Sequence, residues 1–126
     1  MVAMRDIRRL AQTIAREFEP QRIILFGSHA YGRPTGDSDV DLLVIMPGRG
    51  SAIDKSLEIR RRIRPGFPLD LLTRTSSEVA RRVTMNDWFM REILEKGRTL
   101  YEADDARVGR KGRGRLLRRV PRAARA

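Results

Sequence analysis

The chain has no cysteine among its 126 residues. Disulfides and thiolate metal sites are therefore excluded. It also lacks any apolar run near the ~18 residues of a membrane span. Its opening, Met1 to Arg9, holds three arginines and no apolar core of a signal peptide. A cytoplasmic location is the expectation from these absences. Acidic residues are missing from one region only. Residues 106–126 carry nine Arg or Lys and no Asp or Glu. The whole chain has 27 basic and 16 acidic residues, for a net charge of +11. Subtracting the tail leaves 18 against 16, a balance of +2 for residues 1–105. The basicity thus belongs to the tail, and it does not mark the rest as a nucleic-acid-binding domain. No aromatic residue is interleaved in the tail. A base-stacking platform is absent there, and only phosphate contacts would be open to it.

The remaining length suits one domain with an ordinary core. Ile7, Leu10, Ala11, Ile14 and Phe18 recur at helical spacing, and Pro20 lies past the end. Arg22 to Phe26 reads as a short buried strand, and Ser28 to Tyr31 as a helical turn. Residues 32–36 form a breaker-rich loop. Ser38 to Met46 reads as a longer strand. A helix from Ser51 or Ala52 to about Arg64 carries a thin stripe of Ile53, Leu57 and Ile63. Phe67 to Thr73 is the third strand. Thr75-Ser-Ser-Glu78 matches a capping box. Asn86 is expected to cap the next helix, with Trp88, Phe89, Ile93 and Leu94 in the core and Gly97 as the stop. Arg98 to Tyr101 could add a last short strand. Helices alternating with strands argue for an α/β (α+β) domain, with a small mixed sheet and flanking helices. It should span residues 1–103. Residues 104–126 are expected to be an Arg-rich tail, disordered or weakly helical.

Chemistry concentrates in residues 27–41, Gly-Ser-His-Ala-Tyr-Gly-Arg-Pro-Thr-Gly-Asp-Ser-Asp-Val-Asp. Gly27-Ser28 sits at a strand end, where a small turn presents backbone N–H groups to phosphate. Ten residues later come Asp39 and Asp41. If the strand starts by Asp39, both point to one side, together with Leu43 and Ile45. Two such close carboxylates repel when ionised, so a divalent cation is the simplest compensation. Asp70 stands alone in Pro-Leu-Asp-Leu-Leu-Thr. On a buried strand it would be costly unless paired. One metal site fed by both strands would account for all three acids. Each signal also has an ordinary reading. Asp39 and Asp41 could be a solvated strand end, Asp70 a strand-edge partner of an arginine, and Ser28 a simple helix cap. Asp37 reads as a loop cap, His29 as a first-turn surface residue and Arg33 as a loop cation able to steer an anionic nucleotide. The combination, in this strand context, favours the metal site.

The motif Gly-Ser, ten residues, Asp-x-Asp and a later strand Asp resembles that of the DNA polymerase beta-like nucleotidyltransferase superfamily. The chain is similar above all to its minimal nucleotidyltransferases, over about residues 5–102. The resemblance implies the palm-type nucleotidyltransferase fold. It implies that Gly27 and Ser28 hold the β- and γ-phosphates of a nucleoside triphosphate such as ATP. Asp39 and Asp41 would bind two Mg2+ ions, and Asp70 would complete the site of the catalytic one. The ions would clamp the attacking and leaving oxygens of an in-line displacement that releases pyrophosphate. Some minimal members are antitoxins that move AMP onto a tyrosine of a helical HEPN toxin partner. Others modify aminoglycosides, usually with an added C-terminal substrate domain. The 23 residues after Ala103 tilt the expectation toward a protein acceptor. The alternatives are a small-molecule nucleotidyltransferase and a catalytically idle module that binds a partner or nucleic acid. The Arg-rich tail has no counterpart in the family pattern.

Overall fold

The computed structural model describes residues 1–48 and 50–104, together with the backbone of residues 114–116. Helix α1 (Met4–Phe18) leads into strand β1 (Arg22–Phe26) and the short helix α2 (Ser28–Tyr31). Strand β2 (Val40–Ile45), helix α3 (Ala52–Ile63) and strand β3 (Leu69–Arg74) follow. Helices α4 (Ser76–Thr84) and α5 (Trp88–Lys96) precede strand β4 (Arg98–Ala103). The sheet is mixed, in the order β3-β2-β1-β4, with a three-residue strand β5 (Gly114–Leu116) on β4. β1 runs antiparallel to β2 and β4, while β2 and β3 are parallel and joined through α3. A parallel pair needs such a crossover.

Alternation along the strands divides the core in two. On one face Ile23, Leu25, Val40, Leu42 and Val44 pack against Ile7, Leu10, Ala11 and Ile14 of α1 and Ile59 of α3. On the other, Ile24, Phe26, Leu43 and Ile45 pack against Val79 of α4 and Met90 and Ile93 of α5. Asp41 shares this second face, because it alternates with Leu42 and lies in register with Phe26. Each fully buried Ile or Leu contributes about 1.5–3 kcal/mol. The sheet end that bears the acids is therefore clamped between two helical layers.

Several expectations needed correction. β2 begins at Val40 rather than Ser38, because residues 35–38 close a side-chain turn of their own. Thr35 N–H donates to Ser38 Oγ at 2.9 Å, and Asp37 N–H donates to Thr35 Oγ1 at 3.1 Å. Thr35 and Ser38, not Asp37, therefore fasten this loop. Ile53 and Leu57 are exposed, and the buried residue of α3 is Ile59. The face of α3 toward the sheet is polar for a reason. Ser56 Oγ donates to the Leu71 carbonyl at 3.3 Å, and Arg60 donates to that of Leu69. Arg74 Nη1 reaches the Thr73 carbonyl at 2.7 Å. The alternate carbonyls of Pro68 and Arg74 serve β2. The outward carbonyls of edge strand β3 are thus occupied, which guards the edge against pairing with another chain.

The capping box is present: Thr75 Oγ1 accepts from Glu78 N–H, and Glu78 Oε1 accepts from Thr75 N–H at 2.8 Å. Asp87, not Asn86, caps α5, accepting from Met90 N–H at 3.0 Å. Asn86 instead takes the left-handed turn position at φ 63°. Trp88 and Phe89 are exposed, not core residues. Gly97 ends α5 where a side chain would strike Ile24 Cγ2 at 2.7 Å and the Leu25 carbonyl at 2.9 Å. In the tail, residues 114–116 form a strand, contrary to the expected lack of structure. The rest of 105–126 lies outside the described residues. Among the described residues, no helix is long and apolar enough to cross a membrane.

Candidate active site

Three cross-strand partners line up at one end of the sheet. Phe26 on β1 is in register with Asp41 on β2, and Asp41 with Asp70 on β3. Neighbouring strands lie about 4.8 Å apart, so in-register side chains on one face meet. The carboxyls of Asp41 and Asp70 are close enough for each to act on the other's ionisation. Asp39 lies one residue before β2, close enough for its charge to act on Asp41. The structure thus sets Asp41 beside Asp70, 29 residues apart in sequence, with Asp39 near enough for its charge to act on Asp41.

Asp41 is held well away from ordinary carboxylate behaviour. Its pKa is raised to about 6. Partial burial is the main cause, followed by the charge of Asp70, the hydrogen bond with Asp70 and the charge of Asp39. Asp70 itself is exposed on an edge strand with alternating burial. The premise that it occupies a buried strand is corrected accordingly. The expected oddity survives in another form: it is partnered by a like charge, not by an arginine.

Gly27 follows β1 directly and takes φ 76°. A β-carbon there would collide with Asp41 Oδ2 and lie 3.0 Å from Asp41 Cγ. Glycine is required twice, for its dihedral angle and for the approach of the carboxylate. The chain then turns into α2. The N–H groups of Ala30 and Tyr31 donate back to the Gly27 carbonyl at 2.9 and 3.0 Å. This leaves the amides of Ser28 and His29 at the front of the turn, as at any helix start. Ser28 is half-buried there, and its hydroxyl has no hydrogen-bond partner among the described residues. Arg33 is exposed in the loop after α2, and no described contact brings it to the acids.

His29 is more than the surface residue expected. Its Nδ1 lies 3.1 Å from the backbone carbonyl of Asp39. A carbonyl only accepts, so Nδ1 carries the proton. Nε2 is buried and unpartnered. The imidazole ties the Gly-Ser turn to the residue that starts the Asp-x-Asp strand. Sequence offered only one signal for this, the single histidine two residues after Gly27. Its partner is a backbone atom, which no residue pattern can reveal.

The chemistry of this donor set fits a hard divalent cation, which prefers carboxylate oxygens. Two carboxylates held together against repulsion, beside a glycine turn, suit a cation and a phosphate side by side. No preformed cage is present, since no three His, Asp or Glu side chains among the described residues converge in a coordination shell. The donors that would hold Mg2+ are Asp41 and Asp70, with Asp39 beside them.

Comparison with known proteins agrees with this geometry. The family model for a nucleotidyltransferase domain matches residues 7–101. The fold is similar to the crystal structure of a candidate nucleotidyltransferase from Sulfolobus solfataricus. The TM-score is 0.56 and the sequence identity 19%, over 79% of each chain. No curated protein matches the sequence. Domains of this family generally use nucleoside triphosphates and divalent metals. The chain belongs to the nucleotidyltransferase domain family, and its general chemistry is nucleotidyl transfer.

Proposed function

We propose that the protein is a Mg2+-dependent adenylyltransferase that moves AMP from ATP to a hydroxyl, a tyrosine by the resemblance, of a HEPN toxin partner. It would thereby act as an antitoxin in the cytoplasm. Residues 1–103 are the catalytic unit and residues 104–126 a basic appendage. The observation that carries the enzymatic reading is the in-register pair of Asp41 and Asp70, with Gly27 packed on the Asp41 carboxylate. The choice of acceptor rests on the resemblance to minimal nucleotidyltransferases.

In this reading Gly27 lets phosphate oxygens approach the chain closely, and the Ser28 hydroxyl and the front amides of α2 donate to them. Asp39, Asp41 and Asp70 would hold the cations. When bound, Mg2+ supplies charge neutralisation and a more acidic acceptor hydroxyl. The acceptor hydroxyl gives up its proton to solvent, its oxygen forms a bond to the α-phosphorus, the bond to the bridging oxygen breaks, and pyrophosphate leaves with the electron pair. His29 keeps the turn and the acids in fixed relation, so the groups need little rearrangement. Arg33, exposed in the loop after α2, would attract the anionic nucleotide from solvent.

The test is incubation with α-labelled ATP, Mg2+ and the product of the adjacent gene, followed by mass spectrometry. The expected product is the neighbour carrying AMP on a tyrosine, and Asp41→Asn should not form it. An unmodified neighbour, with a folded and nucleotide-binding enzyme, overturns the acceptor assignment. A labelled aminoglycoside in a parallel reaction would favour the small-molecule reading instead.

A further inference from the structure

The chain is poor in aromatics, with four Phe, two Tyr and one Trp. Three of these seven gather at the corner that holds the acids, and a fourth is next to one of them in the chain. Phe26 is the β1 residue in register with Asp41. Tyr31, in α2, packs against the same cluster. Phe89 meets Phe26 edge to face, with ring centroids 5.6 Å apart and an interplanar angle of 81°. Trp88 precedes it at the start of α5.

The burial of these rings is uneven. Phe26 is 5% exposed, whereas Phe89 is 52% and Trp88 81% exposed. Sequence reasoning assigned Trp88 and Phe89 to the core, but Met90 and Ile93 fill that place. The two rings are left facing solvent, and core packing does not account for them. Because Phe26 and Asp41 share a face of the sheet, Phe89 stands on the acid side, one strand across from Asp41. An isolated aromatic on a surface needs no explanation. Phe89 is anchored to the residue in register with the central acid, and with the exposed Trp88 next to it in the chain it offers an aromatic edge to the site.

We propose that the Trp88–Phe89 corner is the base-stacking surface of this nucleotide site. A nucleoside triphosphate has a polar end and a flat apolar end. The Gly27-Ser28 turn and the acids suit the first, and the exposed rings beside them suit the second. Base–aromatic stacking tolerates any base, because every base has a π-face. The corner therefore favours nucleotides over inorganic polyphosphates and discriminates weakly among bases. The inference rests on the reading of the site as a nucleotide site.

Trp88 is the only tryptophan, so it reports on its own occupancy. The experiment titrates the full chain, in Mg2+, with ATP, CTP and tripolyphosphate. It records tryptophan fluorescence and, in parallel, calorimetric heats. ATP and CTP should both quench Trp88 saturably, at the midpoint that calorimetry gives, and tripolyphosphate should leave the emission unchanged. Trp88→Ala and Phe89→Ala should each weaken ATP binding by about tenfold, as stacking losses do. Trp88→Phe should keep most of the affinity, and tripolyphosphate should bind all variants alike. Circular dichroism checks that each variant is folded; Trp88 is exposed enough that its replacement should not disturb the core. If calorimetry shows ATP binding while Trp88 emission and both alanine affinities stay unchanged, the stacking surface is overturned and the nucleotide site stands. If no nucleotide binds at all, the site reading fails, and the stacking surface with it.

Discussion

Strands β2 and β3 run side by side for six residues, yet their two ends are built on opposite terms. At the Ile45–Arg74 end polar groups are tied to one another across elements. Thr73 Oγ1 donates to the Ala52 carbonyl at 2.9 Å, and Met46 N–H donates to that of Arg74 at 3.0 Å. Gln21 N–H donates to the Ile45 carbonyl at 2.7 Å, while its side chain accepts from Ser76 Oγ at 2.7 Å. The Thr75–Glu78 capping box closes the corner. At the Val40–Leu69 end the same two strands set carboxyl against carboxyl, pack a left-handed glycine on one of them and leave two aromatic rings in water. Titration behaviour follows the division. The Thr75 backbone N–H holds the Glu78 carboxylate below its usual range. Burial and like charges push Asp41 up to about 6. Stability is concentrated at one end, and capacity for chemistry at the other.

The largest effect should come from removing the central acid. Asp41→Asn should lower nucleotidyl transfer at least about 10³-fold, the scale of losing a principal electrostatic contact in a reaction site. The same change should raise the thermal midpoint of the metal-free protein at pH 8, because it relieves repulsion with Asp70 and Asp39. Activity and calorimetric scans on one preparation check both halves. An Asp41→Asn protein less stable than wild type would deny that the acids strain the fold.

Gly27→Ala comes next. The added methyl meets the Asp41 carboxylate, and the backbone must hold φ 76°. Strain of about 1–3 kcal/mol is expected in denaturant unfolding, with loss of nucleotide binding. At the opposite end, Thr75→Ala should cost about 1 kcal/mol of stability and leave the kcat of nucleotidyl transfer unchanged. A change in kcat there would break the division between the two ends.

The smallest expected effect is one of pH. Asp41 binds its proton more tightly folded than unfolded. Its contribution is therefore fully present below about pH 4 and is lost as pH rises through about 6. Glu78 acts in the opposite sense. Its lowered pKa gives stability that is present above its ordinary value of 4.5 and lost as pH falls. In metal-free protein, Asp41→Asn should remove the decline between pH 4 and 6, and Glu78→Gln should remove the fall on the acid side. Urea midpoints across this range test both. Solvent screening at these partly exposed groups keeps each effect modest.

Much of this was legible in the sequence. The strands, the helices, the capping box and the pairing of Asp41 with Asp70 beside Gly27 follow from periodicity, breakers and spacing. The misreadings share a cause. Ile53, Leu57, Trp88 and Phe89 look like core because they are apolar, but the faces of α3 and α5 are chosen by partners elsewhere. The buried residue of α3 is Ile59, well round the helix from Ile53 and Leu57, which stay exposed. Asp70 was expected to be buried among leucines, but β3 is an edge strand, and strand order is a property of the whole sheet. His29 binds a backbone carbonyl, and Asp87 takes the cap next door to Asn86. Both are decided by local geometry of a few tenths of an ångström.

The claim on which the account depends is that Asp70, from a separate strand, works with Asp41 on one bound metal-nucleotide. Calorimetric titration of Mg2+-ATP into wild type and Asp70→Asn tests it directly, since Asp70 is exposed and its replacement leaves the core intact. The account predicts saturable binding to wild type and binding at least about tenfold weaker in the variant, the loss of one charged contact of about 1.5–3 kcal/mol. Equal affinity in the two proteins would contradict it.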